Sequence, residues 1–352
     1  MERVDRTAAV GRRLAHDVTE VIAGERKRVY LRRGDTVTAE HLDTLANMGK
    51  EHLVVLAPDE ALDGAADDGM HENDAAALLA AAAAGPGVES ASPVEGKCDL
   101  RAACDGLFLA EVAAVDALNR SLAGQAAIIT RTAGVPVRAG ERLGLARIFP
   151  ARVAGETPRH LAAAPSALSV HAFRPHRAGV VVTGAEVLAG RVQDGFGPLI
   201  RSKLEAYGST VGGVRIVGDD PEAIARALRE MAAAGHDLLF ATGGMAVDAD
   251  DVTQAAIRRA GVAVRFAGVP MQPATLLLFG TLDGVPLFGV PAGVLYDAYS
   301  ALDRLLPYVL AGRLPTAEEV LGMGVGGMLG GGHRQHAQAA ATDGAAARHH
   351  GG

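Results

Sequence analysis

Residues 237–254 read DLLFATGGMAVDADDVTQ. An apolar run of strand length stops at Thr242, Gly243 and Gly244, three aspartates (Asp248, Asp250, Asp251) follow, and a helix-like segment begins after them. A strand without alternating polar positions is one buried on both faces, the habit of parallel sheets covered by helices.

The same rhythm runs outward from this stretch. Upstream lie GVVVT (179–183), the turn GAE, a segment of helical spacing DGFGPLIRSKLEAYG (194–208), the strand TVGGVRIV (210–217) and the helix PEAIARALREMAAAG (221–235). Pro221 opens that last helix, Ile224, Leu228 and Met231 share one face, and Gly235 ends it. Downstream come the helix DVTQAAIRRAG (251–261), two further strands, ATLLLFG (274–280) and VPLFGV (285–290), and a closing helix over PAGVLYDAYSALDRLLPYVLAG (291–312). Leu295, Tyr299, Leu302, Leu306 and Val309 would lie along one side of it. Alternating strands and helices predict a doubly wound, mostly parallel α/β domain of three layers, spanning 175–315. Ligands of such folds bind at the carboxyl ends of the strands. That rule selects the turns after Val182, Ala241 and Val290.

The rest of the chain reads differently. Residues 1–57 mix short β-type runs, RVYLRR and HLVVLA, with a helix at AEHLDTLANMG, and predict a small α+β segment. Residues 58–165 form a middle region. It starts with an acidic loop, PDEALDGAADDGMHEND (58–74), continues into an alanine-rich helix and ends in a β-rich unit. Residues 171–176 read as a linker carrying solvated His171 and His176. The stretch 321–352 has low complexity and predicts a disordered tail. Its GMGVGG matches GxGxxG literally, but no suitable strand precedes it and no helix follows, so it does not mark a dinucleotide site.

Composition excludes several classes. The formal net charge of -7 speaks against a nucleic-acid partner. No apolar stretch reaches the roughly 18 residues of a membrane span, and the charged N-terminus does not resemble a secretory signal. Cys98 and Cys104 are the only cysteines, not in CxxC spacing, and are expected to be reduced thiols of a cytoplasmic protein. There is no GxSxG, no GxxxxGKS/T and no zinc-ligand spacing.

At the strand ends, Thr183, Gly184, Thr242, Gly243 and Gly244 offer backbone a flat or anionic ligand can approach closely. Glu186, the pair Asp219–Asp220 and Asp248, Asp250 and Asp251 stand beside them and would repel a phosphate. A hard cation such as Mg²⁺ resolves that conflict by binding carboxylate and phosphate oxygens together. Asp219, Asp220 and Asp251 also fit helix N-caps, and both readings stay open.

TGAEV, GRVQDGFGPLIRSKLEAYG, GDDPEAI and DLLFATGGMAVDADDVT, in that order, resemble the molybdopterin-binding domain family over residues 179–312. That family includes molybdopterin adenylyltransferases, molybdopterin molybdotransferases and competence-damage-inducible proteins. GRRLAHDVT (11–19) and LRRGDTVTAEHLDTLANMGKEHLVV (31–55) resemble segments of molybdotransferases outside that domain, which favours the molybdotransferase branch. The resemblance implies that Glu186, Asp220 and Asp251 are the catalytic acids, with Asp220 and Asp251 holding Mg²⁺. Thr183, Gly184, Thr242, Gly243, Gly244 and Pro291 would cradle pterin or phosphate. It further implies insertion of molybdate into adenylated molybdopterin with release of AMP, a homodimer, and service to a molybdoenzyme. Two alternatives are a non-catalytic carrier of molybdopterin or finished cofactor, and a nucleotide pyrophosphohydrolase of the competence-damage-inducible type.

The sequence departs from the family at several places, two of them within the α/β domain. PAGV (291–294) stands where a PGNP-like turn is usual, and GVPMQPATL (268–276) lacks the usual cations, with Gln272, Ala274 and Thr275 uncharged. Arg191, Lys203 and Arg265 are candidates to replace them, set against an ordinary existence as solvated surface charges.

Overall fold

The computed structural model describes residues 1–22, 26–57, 69–153, 159–160, 166–245, 252–325 and 327–329. Near the N-terminus, β1 (Glu2–Asp5), the hairpin β2 (Val18–Ile22) and β3 (Arg26–Leu31), the short helix α1 (Leu42–Asn47) and β4 (His52–Val55) follow one another. β1 and β4 pair antiparallel. Leu14, Val37, Leu45 and Val55 are fully buried among them. The helix read from AEHLDTLANMG is thus present but short, preceded by a 3-10 turn, Ala39–His41, that Thr38 caps.

Next come α2 (Glu72–Ala83), β5 (Val88–Ser90), β6 (Lys97–Ala102), α3 (Val112–Ser121), β7 (Ala126–Thr130) and β8 (Arg142–Ile148). The strands form an antiparallel sheet in the order β5-β6-β8-β7. α2 packs on this sheet through Ala75, Ala76, Leu79 and Ala83, small enough to bring the helix close. The acidic stretch expected as loop to residue 74 already turns helical at Glu72. The reason is local: the His71 side chain accepts from the Asn73 amide, and Glu72 and Asp74 suit the positive end of the helix. The sequence reading missed α3. These elements belong to one compact unit, comprising Met1–Cys104, Phe108–Ala133 and Arg138–Val170.

The second unit contains His171 onward, with Asp105–Leu107 and Gly134–Val137. Its six-stranded sheet is built from β9 (Arg177–Thr183), β10 (Thr210–Val217), β11 (Leu238–Thr242), β12 (Ala263–Ala267), β13 (Leu278–Leu282) and β14 (Val285–Val290). Its helices are α4 (Ala185–Leu188), α5 (Phe196–Glu205), α6 (Pro221–Ala233), α7 (Thr253–Arg259), α8 (Ala301–Leu310) and α9 (Ala317–Gly322). The sheet order is β10-β9-β11-β14-β13-β12. β10, β9, β11 and β14 are mutually parallel, whereas β13 and β12 run antiparallel at the end of the sheet.

Val180, Val182, Phe240 and Phe288 point into one core with α5 and α8. Val181, Leu239, Ala241 and Leu287 point into the other with α6 and α7. This is the predicted three-layer α/β domain, and the continuous apolar runs of β9 and β11 reflect cover on both faces.

Four points of the sequence reading need correction. The helix read across 291–312 begins only at Ala301, where Ser300 and Asp303 form a capping box; Ala292–Leu295 is a 3-10 turn, and Leu295 is 38% exposed rather than in the core. β12 was not read as a strand at all. His176 is not a solvated linker residue: its side chain is 15% exposed and lies 3.3 Å from the Asp237 carboxylate, while His171 is half-buried. The folded region also continues past residue 315, since Val320 of α9 and Met328 are buried in the α5/α8 core. Residues 330–352 lie outside the described residues. Among the described residues no helix is long and apolar enough to cross a membrane.

His71 links this architecture to pH. Burial, and next the Arg33 guanidinium, hold its pKa down to about 4, so it caps α2 as the neutral imidazole. The unfolded chain protonates this residue near pH 6.5. Stability from His71 is therefore complete above about pH 6.5 and declines as pH falls towards about 4, by up to roughly 3 kcal/mol. Urea unfolding at pH 7 and pH 4.5 should show a smaller loss for His71→Asn, which keeps a capping acceptor and removes the titration. An equal loss in both proteins would exclude His71 as the source.

Candidate functional site at the strand ends

The parallel strands β9, β10, β11 and β14 deliver their carboxyl ends to one side of the sheet. Thr183 and Thr242 end neighbouring strands and are both buried. The Thr183 hydroxyl donates to the Thr242 carbonyl at 2.9 Å and lies 3.1 Å from the hydroxyl of Thr253, the first residue of α7. The Thr253 amide in turn donates to the Gly244 carbonyl at 3.2 Å. Three predicted cradle residues, Thr183, Thr242 and Gly244, are thereby tied to the start of α7.

The glycines here are required by conformation and by space. Gly243 has φ +82° and Gly244 φ +49°. A Cβ on Gly243 would sit 2.7 Å from the Thr183 carbonyl oxygen and 2.8 Å from its hydroxyl. Alternation along β11 places Thr242 on the side of Leu238 and Phe240, facing the α5/α8 layer, between Val182 and Val290. The Thr242 hydroxyl is buried and has no hydrogen-bond partner among the described residues. Leaving such a hydroxyl unpaired costs about 1–3 kcal/mol.

Around this centre the predicted residues divide. The Gly184 amide donates to the Val217 carbonyl at 3.1 Å, which joins the TGAE turn to the end of β10. The Ala185 amide, one residue on, donates to the Asp219 carboxylate at 2.8 Å. Glu186 lies exposed on the single-turn helix α4. Asp220 is engaged elsewhere: its two carboxylate oxygens accept from the Glu222 and Ala223 amides and cap α6. Asp219, which the resemblance did not select, is therefore the acid of that pair beside the TGAE turn. Pro291 is buried where β14 ends. Asp251, with Asp248 and Asp250, lies outside the described residues.

The described residues do not by themselves fit a Mg²⁺ ion. No three His, Cys, Asp or Glu side chains group among them as metal ligands would. Asp219 and Asp220 already accept hydrogen bonds from backbone amides.

The candidates for the missing cations fare unevenly. Lys203 is no solvated charge: its ammonium lies 2.5 Å from Asp303, with both side chains largely buried, and the pair ties α5 to α8. Arg265 is exposed on β12, at the antiparallel edge of the sheet. Arg191 is exposed just after α4, where its amide donates to the Glu186 carbonyl. The 268–276 loop has its own backbone logic. Ala274 sits at φ +75°, and a Cβ on Gly293 would lie 3.1 Å from the Ala274 amide nitrogen, so the shifted glycine of PAGV lets this loop pack against the turn after β14. Sequence reasoning also missed Asp194, whose carboxylate accepts from the Phe196 and Gly197 amides and starts α5. An Asp at the head of DGFGP was the available signal.

One of the comparisons with known proteins points to the same segment. A family profile described as a probable molybdopterin binding domain matches residues 179–332. This segment belongs to the molybdopterin-binding domain family. A second profile, for a domain of unknown function, matches residues 3–57. A CinA-like protein of Mycobacterium sp. (strain MCS) is 48% identical over 83 residues, covering 24% of this chain and 20% of the relative. The chain thus aligns with about a fifth of the length of that relative. Among solved structures, the molybdopterin biosynthesis enzyme MoaB from Thermus thermophilus is 22% identical, with 39% of this chain and 98% of that chain covered and a TM-score of 0.34. The molybdopterin biosynthesis Mog protein from Mycobacterium ulcerans is 20% identical, covers 38% of this chain and 94% of its own, and gives a TM-score of 0.32.

Gly243→Ala tests the cradle directly. The added methyl meets β9 backbone and the backbone is held at positive φ, so the variant should lose about 2 kcal/mol or more of stability. Denaturant unfolding of the two proteins side by side measures this, and an unchanged midpoint would mean that the turn can relax.

Proposed function

We propose that this chain acts in molybdenum cofactor biosynthesis by binding molybdopterin, free or adenylated, at the carboxyl ends of β9, β11 and β14. The observation that carries this reading is the buried, unpartnered Thr242 hydroxyl beside Gly243 and Gly244, inside a segment matched by the molybdopterin-binding profile. Thr242 would hydrogen-bond the ligand, and Gly243 and Gly244 would let the ring or phosphate reach the backbone. Thr183 would fix the turn by holding the Thr242 carbonyl and Thr253. Gly184 and Pro291 would border the site.

Two versions of this function differ in chemistry. Molybdate insertion with AMP release needs the oxyanion partnered by cations and, on the family resemblance, Mg²⁺ held through Asp251. Binding and delivery of the pterin need neither. The 268–276 loop supplies no charge, Lys203 is committed to Asp303, and Asp220 caps α6. These observations favour binding and delivery to a molybdoenzyme. The local similarity to CinA-like proteins keeps nucleotide pyrophosphate hydrolysis as the third reading.

The purified full chain should retain a pterin detectable by mass spectrometry, and Thr242→Val should reduce that retention several-fold with the fold intact. Incubation with adenylated molybdopterin, Mg²⁺ and molybdate then separates the versions. The carrier reading expects no AMP above background and retention unaffected by Asp251→Ala. Release of AMP that Asp251→Ala abolishes would establish the transferase instead, and no retention of pterin by any preparation would sink the binding assignment.

A further inference from the structure

The first unit contains a hollow of about 440 Å³ that the molybdopterin reading does not use. It is walled by five separate stretches of chain, including His16 and Asp17 of the GRRLAHDVT segment, the start of α2, and the ends of β6 and β8. Much of its wall is internally satisfied. Asp17 accepts from the Arg33 amide at 2.7 Å, and Lys97 pairs with Glu95 at 2.8 Å. The Glu95 carbonyl accepts from Arg147, and its carboxylate accepts from Thr19. The turn that brings these groups together is tight: Glu95 has φ +51° and Gly96 φ +67°, and the Gly96 amide donates to the Asn73 side chain at 2.8 Å. A non-glycine residue at positive φ is held there at a cost, which a packed structural requirement or a ligand site can justify.

Three groups facing the hollow are left over. Lys50 is exposed and, among the described residues, its ammonium has no ion-pair or hydrogen-bond partner. The Glu72 carboxylate is half-buried at the start of α2 and makes no hydrogen bond among the described residues; burial raises its pKa above the ordinary range. Phe149 is 50% exposed and its side chain lines the hollow. An unpaired ammonium asks for an anion, an unpaired carboxylate for an N–H edge, and an exposed aromatic ring for a flat ring. One small ligand class carries all three. The size also suits it, since sites for small ligands begin at about 300 Å³.

We propose that this hollow binds a guanine nucleotide, with the base stacked on Phe149, its N–H edge on the Glu72 carboxylate and its phosphate at Lys50. Guanine offers two adjacent N–H donors to one carboxylate, which adenine does not, so Glu72 sets the preference between the purines.

Isothermal titration calorimetry on the full chain with GMP, AMP and inorganic phosphate tests the proposal. GMP should bind one to one, at least ten-fold more tightly than either AMP or phosphate. Lys50→Ala and Phe149→Ala, both at exposed positions, should each weaken GMP about ten-fold, in line with the cost of losing a stacked base or a phosphate contact. Glu72→Gln should erase most of the preference for GMP over AMP. Thr242→Val, at the strand ends of the other unit, should leave GMP binding unchanged, so this result stands apart from that of the molybdopterin reading. Circular dichroism confirms that each variant is folded. The proposal is overturned by no heat with millimolar GMP, by phosphate or AMP binding as tightly as GMP, or by GMP binding that survives Lys50→Ala and Phe149→Ala. It is equally overturned by binding lost on Thr242→Val.

Discussion

The Thr183 hydroxyl holds the candidate site together. It donates to the carbonyl that ends β11 and contacts the hydroxyl that begins α7. Two strand ends and one helix start are thereby fixed by a single buried side chain. The Gly243 turn fits only because it presses on Thr183 without a Cβ, and the Thr242 side chain is sent to the opposite face of the sheet by strand alternation. With its own neighbours on that face being Val182 and Val290, its hydroxyl has nothing in the described protein to bond. The unmet hydrogen bond is a consequence of how the strands align, and it motivates the proposal of a ligand at these strand ends.

Around that centre the structure distinguishes groups that shape the site from groups that are free to act in it. Asp220, Asp194 and Asp303 are all acids near the relevant elements, yet each is occupied: two satisfy helix N-termini, and the third accepts from Ser300 and pairs with Lys203. Carboxylates at strand–helix junctions are in demand for capping because the first amides of every helix lack partners. Charge in the sequence near a strand end is therefore a poor count of charge available to a ligand. The same discount applies to Lys203, whose mostly buried ion pair joins the two helices of one layer.

The fold was largely legible. GVVVT and DLLFA read as strands because both faces of β9 and β11 are buried, which leaves no polar positions to confuse the pattern. PEAIARALREMAAAG read as a helix because its cap, its first-turn proline and its apolar face agree. β12 escaped notice because AVRFA sits at the sheet edge, where alternate residues are exposed and the run is short. The start of α8 was misplaced because Leu295 and Tyr299 fit the helical spacing, while the capping box at Ser300 and Asp303 decides where the helix begins. In the first unit, the groups around the hollow come from positions as far apart as 16 and 149, and no periodicity reports on such a meeting.

By itself the sequence determined the α/β class of the second unit and the order of most of its elements, and it led to the expectation that a ligand sits at the strand ends. Those follow from local rules: burial on both faces, helix signals and the direction of parallel strands. Only the tertiary structure decided which acids are caps and which stand by the turn, that Asp219 rather than Asp220 faces TGAE, that Lys203 is bound to Asp303, and that the Thr242 hydroxyl lacks a partner. Each of these depends on what lies across space from a side chain, since a hydrogen bond or ion pair is satisfied by a neighbour in the fold and seldom by one in the sequence.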